Sequence, residues 1–197
     1  MSDIGLVILA AGASSRMGTP KQLLHYQGRS LIRYAVETAI ASVCHPILVV
    51  LGAYADHIKP ELKSPNLQVI ENPRWTHGMS TSIRIGVEGL KAENPSVKAV
   101  VLMVCDQPLV STQLINQLVE YYQAMKGLIV AAEYAGILGV PALFDHTLFP
   151  DLIALNGDVG ARQVIQRHAQ KTCGVSYPAG AFDLDTPADY QQLLKYD

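Results

Sequence analysis

The chain has 197 residues, of which 49% are hydrophobic and 16% charged, with a formal net charge of -2. That length suits one domain with a substantial core, so residues 1–197 are read as a single unit. The charge balance excludes a basic surface for a nucleic-acid backbone, and no Lys/Arg-rich run stands out. Three cysteines (Cys44, Cys105, Cys173) lie far apart, with no metal-type spacing, and are read as free thiols of a cytoplasmic protein.

The N-terminal apolar run from Ile4 to Ala11 is too short to span a bilayer and has no basic residues before it, so it is read as a first buried strand rather than a membrane or signal segment. The strand itself is placed at Ile4–Ala10, and Ile47–Leu51 and Val97–Val104 are runs of the same kind. None alternates strictly with polar residues, as expected of parallel strands covered on both faces. Leu67–Glu71 and Leu128–Ala132 are weaker strand patterns.

Helical stripes fall between these strands. Ile32, Val36, Ala39 and Val43 share one face; Ile83, Val87 and Leu90 make another; Ile115, Leu118, Val119 and Tyr122 a third. Ala161, Val164, Ile165 and His168 make a fourth, which marks His168 as a packed histidine rather than a ligand. Thr186, Pro187 and Asp189 form a helix start. Strand–helix alternation predicts a three-layer α/β/α domain, Rossmann-like, with a mostly parallel sheet. Ligands in such sheets bind beyond the carboxyl ends of the strands, so chemistry is sought just after each strand.

The first of these loops reads Leu9-Ala10-Ala11-Gly12, then Arg16 and Lys21. Small residues let backbone amides approach an anion, and the two cations add fixed positive charge. Together they suit a polyphosphate. The loop is not a Walker A motif, because five residues separate Gly12 from Gly18 and Gln22 follows Lys21. Nor is it a Gly-x-Gly-x-x-Gly dinucleotide fingerprint.

Asp106 directly follows the most hydrophobic strand, well placed for a hard cation such as Mg²⁺ or for a turn. Asp183 and Asp185 offer a second acidic pair, either of which could meet the metal while the other caps the following helix. The stretch Asn72–Ser82 contains Gly78, which permits close approach, and Ser80 and Ser82, which can read hydrogen-bonding edges. His77 has no partner in sequence that would make it a base. Arg162, after the turn Gly157-Asp158-Val159-Gly160, is a candidate phosphate holder.

Five segments in order resemble the MobA-like nucleotidyltransferases, and among them the molybdenum cofactor cytidylyltransferases. They are LAAGASSRMGTPK at 9–21, NPRWTHGMSTSIRIG at 72–86, DQPLVS at 106–111, GDVGAR at 157–162 and DLDTPADY at 183–190. The resemblance spans nearly the whole chain. It implies an enzyme of Rossmann-like nucleotidyltransferase fold that moves CMP from CTP to the terminal phosphate of molybdopterin, with Mg²⁺. It also implies roles: Arg16 and Lys21 on the triphosphate, Asp106 and Asp185 on the metal, Leu9 to Gly12 along the nucleotide, and Gly78 and Ser82 near the base. Catalysis would then rest on Arg16, Lys21 and Asp106. Guanylyl members usually read Leu-Ala-Gly-Gly at the first loop. Relatives often read Gly-His-Pro or Gly-Asn-Pro where this chain has Gly139-Val140-Pro141, and Val140 lacks that side-chain hydrogen bond. A molybdenum hydroxylase or its maturation factor is the implied partner. A guanylyl or sugar-phosphate nucleotidyltransferase, or a non-catalytic cofactor carrier, are the alternatives.

Overall fold

The computed structural model describes residues 3–125 and 127–196. In chain order, β1 (Ile4–Ala10) leads to a small hairpin of β2 (His25–Tyr26) and β3 (Arg29–Ser30), then α1 (Leu31–Ile40), β4 (Ile47–Leu51) and α2 (Ala55–Ile58). Next come β5 (Gln68–Glu71), α3 (Met79–Glu93), β6 (Ala99–Val104) and α4 (Thr112–Met125). The second half holds β7 (Ile129–Tyr134), β8 (Ile137–Asp145), α5 (Phe149–Ile153), α6 (Arg162–Arg167), β9 (Thr172–Ser176) and α7 (Pro187–Leu193).

Seven strands form one sheet in the order β5-β4-β1-β6-β8-β7-β9. All neighbours pair parallel except β8, which runs antiparallel to both β6 and β7. The expectation of a mostly parallel sheet between helical layers is met. The period-2 rule divides β1 cleanly: Leu6, Ile8 and Ala10 face α1 and α4, while Val7 and Leu9 face α3, α5 and α6. Both faces are therefore dry, which is why the strand reads as an unbroken apolar run. Gly86 on α3 faces Val7, where a Cβ would lie 2.6 Å from the valine methyl, so glycine is what lets this helix sit down on the sheet.

Several boundaries differ from the sequence reading. Val43 does not share the α1 stripe; the helix ends at Ile40 and Val43 is 51% exposed. The chain must turn there to enter β4 through His45-Pro46, and a residue before proline resists helix. His168 is not a core residue. It ends α6 and pairs through Nε2 with Asp151 Oδ2 at 2.7 Å, half-buried between α5 and α6. Strand β8 was not foreseen, because Pro141 interrupts it; the register shifts opposite Ala131/Ala132 as Val140 and Pro141 bulge out of the ladder. Edge strand β9 was missed as well, its Thr-Cys-Gly-Val-Ser sequence being short and weakly apolar.

The C-terminal helix behaves as its sequence predicts. Thr186 and Asp189 form a reciprocal capping box, with Pro187 in the first turn. A small third cluster (Tyr26, Leu31, Leu184, Leu193) ties α7 and the segment before it to the hairpin. Leu184 is fully buried there, worth roughly 1.5–3 kcal/mol. That anchor holds Asp183 and Asp185 at the top of the sheet. Among the described residues, no helix is long and apolar enough to cross a membrane.

Candidate active site

The strand order reverses between β1 and β6, so the loops after these two strands diverge and leave a cleft between them. A cavity of about 760 Å³ lies there, lined by the ten residues to which the family resemblance gives a nucleotide or metal role: Leu9, Ala10, Ala11, Gly12, Arg16, Lys21, Gly78, Ser82, Asp106 and Asp185.

The first loop is shaped from inside by Gln22, which is 1% exposed. Its Nε2 donates to Ala10 O at 3.1 Å and Gly12 O at 2.9 Å, and its Oε1 accepts from Ser14 Oγ at 3.3 Å. Ser14 Oγ in turn accepts from the Lys21 amide at 3.1 Å. These bonds turn the carbonyls of residues 10 and 12 inward onto one amide side chain. Gln22 carries no charge and follows the two cations, so the sequence reading used it only to exclude another phosphate loop.

The cations converge on the carboxylates. Lys21 Nζ lies 2.5 Å from Asp106 Oδ2, 3.4 Å from Asp185 Oδ1 and 3.3 Å from the Leu184 carbonyl. Burial is the largest single influence and opposes the lysine's charge, but the Asp106 charge and hydrogen bond, with Asp185 adding, together outweigh it, so its pKa is raised above 10.5. Arg16, 70% exposed, reaches Asp185 Oδ2 at 3.0 Å from the solvent side. The Leu184 amide donates to Asp106 O at 3.0 Å and fixes the two acidic segments to each other.

The donor set fits a hard divalent cation. Asp106 Oδ1 is buried with no hydrogen-bond partner among the described residues, while Asp106 Oδ2, Asp185 Oδ1 and the Leu184 carbonyl meet at one ammonium. Mg²⁺ typically takes only one or two protein carboxylates and completes its shell with phosphate and water. No group of three or more His, Cys, Asp or Glu forms a fuller metal cage among the described residues.

Asp183 and Asp185 divide their work. Asp183 turns instead to Gln107, whose Nε2 donates to its Oδ1 at 3.0 Å. Burial raises the Asp183 pKa above 3.8; the Gln107 hydrogen bond opposes this, and the charges of Asp106 and Asp185 add to it. Gln107 is 5% exposed, and its Oε1 has no hydrogen-bond partner among the described residues.

The opposite wall comes from the start of α3. Asn72, 1% exposed, donates to Thr81 Oγ1 at 2.8 Å and Ser82 Oγ at 2.9 Å, and its Oδ1 accepts from the Arg74 amide. Ser80 does not face the cleft as expected; its hydroxyl donates to Gly157 O at 2.7 Å. Gly78 has φ +101°, and any Cβ would lie 2.5 Å from Gly157 O, so only glycine fits. His77 is exposed at the rim, beside Trp75 and Met79. Tyr134, Val140 and Arg162 also line the cleft.

The family model of the MobA-like NTP transferase domain matches residues 6–172, which span β1 to the first residue of β9 and most of the cleft. The chain belongs to the MobA-like NTP transferase family. It is thus a nucleotidyltransferase by family. It is 32% identical to nicotine blue oxidoreductase of Paenarthrobacter nicotinovorans, across 82% of this chain and 80% of that protein. It is 31% identical to the purine catabolism protein PucB of Bacillus subtilis, across 96% and 95%. With the molybdenum cofactor cytidylyltransferase of Escherichia coli it shares 23% identity across 96% and 95%. Among solved structures, the Rv0371c homolog from Mycobacterium sp. strain JC1 superimposes with a TM-score of 0.85 at 28% identity, covering 100% of this chain and 98% of that one. Rv0371c of Mycobacterium tuberculosis in complex with manganese gives a TM-score of 0.78 at 26% identity, covering 98% of each.

Proposed function

We propose that this MobA-like transferase moves CMP from CTP to the terminal phosphate of molybdopterin and releases pyrophosphate, with residues 1–197 acting as one nucleotidyltransferase domain. The observation that carries this reading is the convergence of Arg16, Lys21, Asp106 and Asp185 beside the small-residue loop, at the point where the strand order reverses. Ala11 supports CTP as the donor. It lines the cleft at the position where guanylyl members usually carry glycine.

The acceptor phosphate needs no strong base, since a phosphate monoester has a second pKa of about 6 and is largely ionised near neutrality. One of its oxygens forms a bond to the α-phosphorus of CTP. The bond from that phosphorus to the bridging oxygen breaks, and pyrophosphate departs with the electron pair. The obstacle is charge: two polyanions must meet. As CTP enters, Lys21 exchanges its carboxylate partners for phosphate oxygens, and Arg16 covers them from solvent. The amides of residues 11 and 13, which share their peptide groups with the carbonyls that Gln22 holds, set the donor in line. Asp106 and Asp185 would hold Mg²⁺, which would supply neutralisation of the charge on the triphosphate and on the departing pyrophosphate. The reading includes a cytoplasmic setting and delivery of the product to a molybdenum hydroxylase or its maturation factor.

The test incubates the protein with Mg²⁺ and molybdenum cofactor, and separately with CTP, GTP and ATP. Pyrophosphate and the dinucleotide mass are read together. Product with CTP alone is expected. Product with GTP or a sugar phosphate instead would overturn the donor or acceptor, and nucleotide binding without pyrophosphate release would mark a carrier.

A further inference from the structure

Three cationic side chains line the cleft (Arg16, Lys21 and Arg162) against four carboxylates, Asp106, Asp158, Asp183 and Asp185. Arg16 and Lys21 are already engaged with Asp185 and Asp106. Arg162 differs: among the described residues its side chain makes no ion pair and no hydrogen bond, and it is exposed to the cleft. A transfer between two anions needs a second point of positive charge, set apart from the one that holds the donor. An unpaired guanidinium is the residue type best suited to a phosphate, which it grips as a fork.

Arg162 is also held in place. The turn before it is locked to the start of α3: Ser80 Oγ donates to Gly157 O at 2.7 Å, and the Met79 amide donates to Asp158 Oδ1 at 3.4 Å. Gly160 lies against Met79, close enough that a Cβ would be 3.0 Å from its Sδ. Ala161 and Val164 on either side are buried. Arg162 lines the same cleft as Tyr134, Asp106 and Asp183, so it shares one space with the carboxylate cluster. Val140 lines the same cleft and offers no side-chain hydrogen bond.

We propose that Arg162 is the anion anchor of the acceptor subsite, holding the incoming phosphate monoester while Tyr134 and Val140 wall its organic part. This rests on the nucleotidyl-transfer reading, but not on the identity of the acceptor. The test uses phenyl phosphate as the probe, on protein saturated with Mg²⁺ and α,β-methylene CTP. Binding is read from Trp75, the only tryptophan and a residue of the cleft wall. Arg162→Gln should weaken phenyl phosphate binding by about 10- to 100-fold, the range of a lost charge-assisted hydrogen bond. Arg162→Lys should recover part of it, since lysine keeps the charge but loses the fork. Affinity in the natural protein should rise as pH passes the probe's second pKa of about 6, and R162Q should flatten that rise. Affinity for the CTP analogue should stay unchanged in both variants.

Equal phenyl phosphate binding in R162Q overturns the proposal, and so does an equal loss of the CTP analogue, which would put Arg162 on the donor side. The two readings fail separately. Arg162-dependent probe binding without CMP transfer to molybdopterin would sink the molybdopterin acceptor and keep the anchor. CMP transfer with an unchanged acceptor KM in R162Q would do the reverse.

Discussion

Replacing Gln22 by methionine isolates the residue that shapes the first loop. The change keeps length and volume but removes the amide that holds the Ala10 and Gly12 carbonyls. The Ala10 bond is buried, and an orphaned buried acceptor costs roughly 1–3 kcal/mol. The bond to Gly12 is only partly buried, so water replaces some of it, and about 1 kcal/mol is a fair share there. The total, about 2–4 kcal/mol, corresponds to a melting temperature lower by roughly 5–15 °C for a chain of this size. Thermal unfolding followed by circular dichroism measures it, with CTP binding followed alongside by Trp75 fluorescence. Both signals should fall together, because the carbonyls that lose their partner belong to the loop proposed to hold the nucleotide. A melting temperature within about 2 °C of the natural protein, at unchanged CTP affinity, would refute the argument that this side chain builds the loop.

Two further substitutions probe the carboxylates. Asp106→Ala removes the main Lys21 partner and a proposed metal ligand. Turnover should fall by about 10²–10³ or more, as when one electrostatic contact to the reacting groups is lost. The fold should survive, since Lys21 keeps Asp185 and the Leu184 carbonyl; near-normal turnover would remove Asp106 from the metal site. Asp183→Asn tests the other carboxylate through pH. Because the Asp183 pKa is raised in the folded chain, its charge weighs on the native state at neutrality; the protein loses that stability as pH climbs from 3.8 through the raised value. The asparagine keeps the acceptor for Gln107 and carries no charge, so D183N should melt higher than the natural protein at pH 7, by a margin that shrinks toward pH 4. A margin that grows on acidification would contradict the assigned direction.

Much of the fold was legible from local pattern. Ile4–Ala10 and Ile47–Leu51 are continuous apolar runs because helices cover both faces of the sheet, and they could be read to the residue. Strand β8 could not, since Pro141 breaks the pattern that defines a strand, and the ladder absorbs it by a register shift. Val43 misled because its spacing continued a helical stripe that the turn toward Pro46 cuts short. In the cleft, the charged residues announced themselves by type and by position after a strand. Gln22, Gln107 and Asn72 did not, because a neutral amide has no sequence signature that separates a buried scaffold from a surface residue.

The sequence by itself determined the layers, the strand ends at which chemistry had to be sought, and the loop in which Arg16 and Lys21 sit beside small residues. These follow from nearest-neighbour periodicity and from residue type. Only the tertiary structure decided the pairings. Lys21, Asp106 and Asp185 meet because the sheet sets β1 beside β6, and because Leu184, buried under the hairpin, carries Asp185 to the same spot. Asp183 and Asp185 look equivalent in sequence, yet one faces Gln107 and the other Lys21. Contacts that span 85 and 164 residues depend on strand order and packing, which no local window contains.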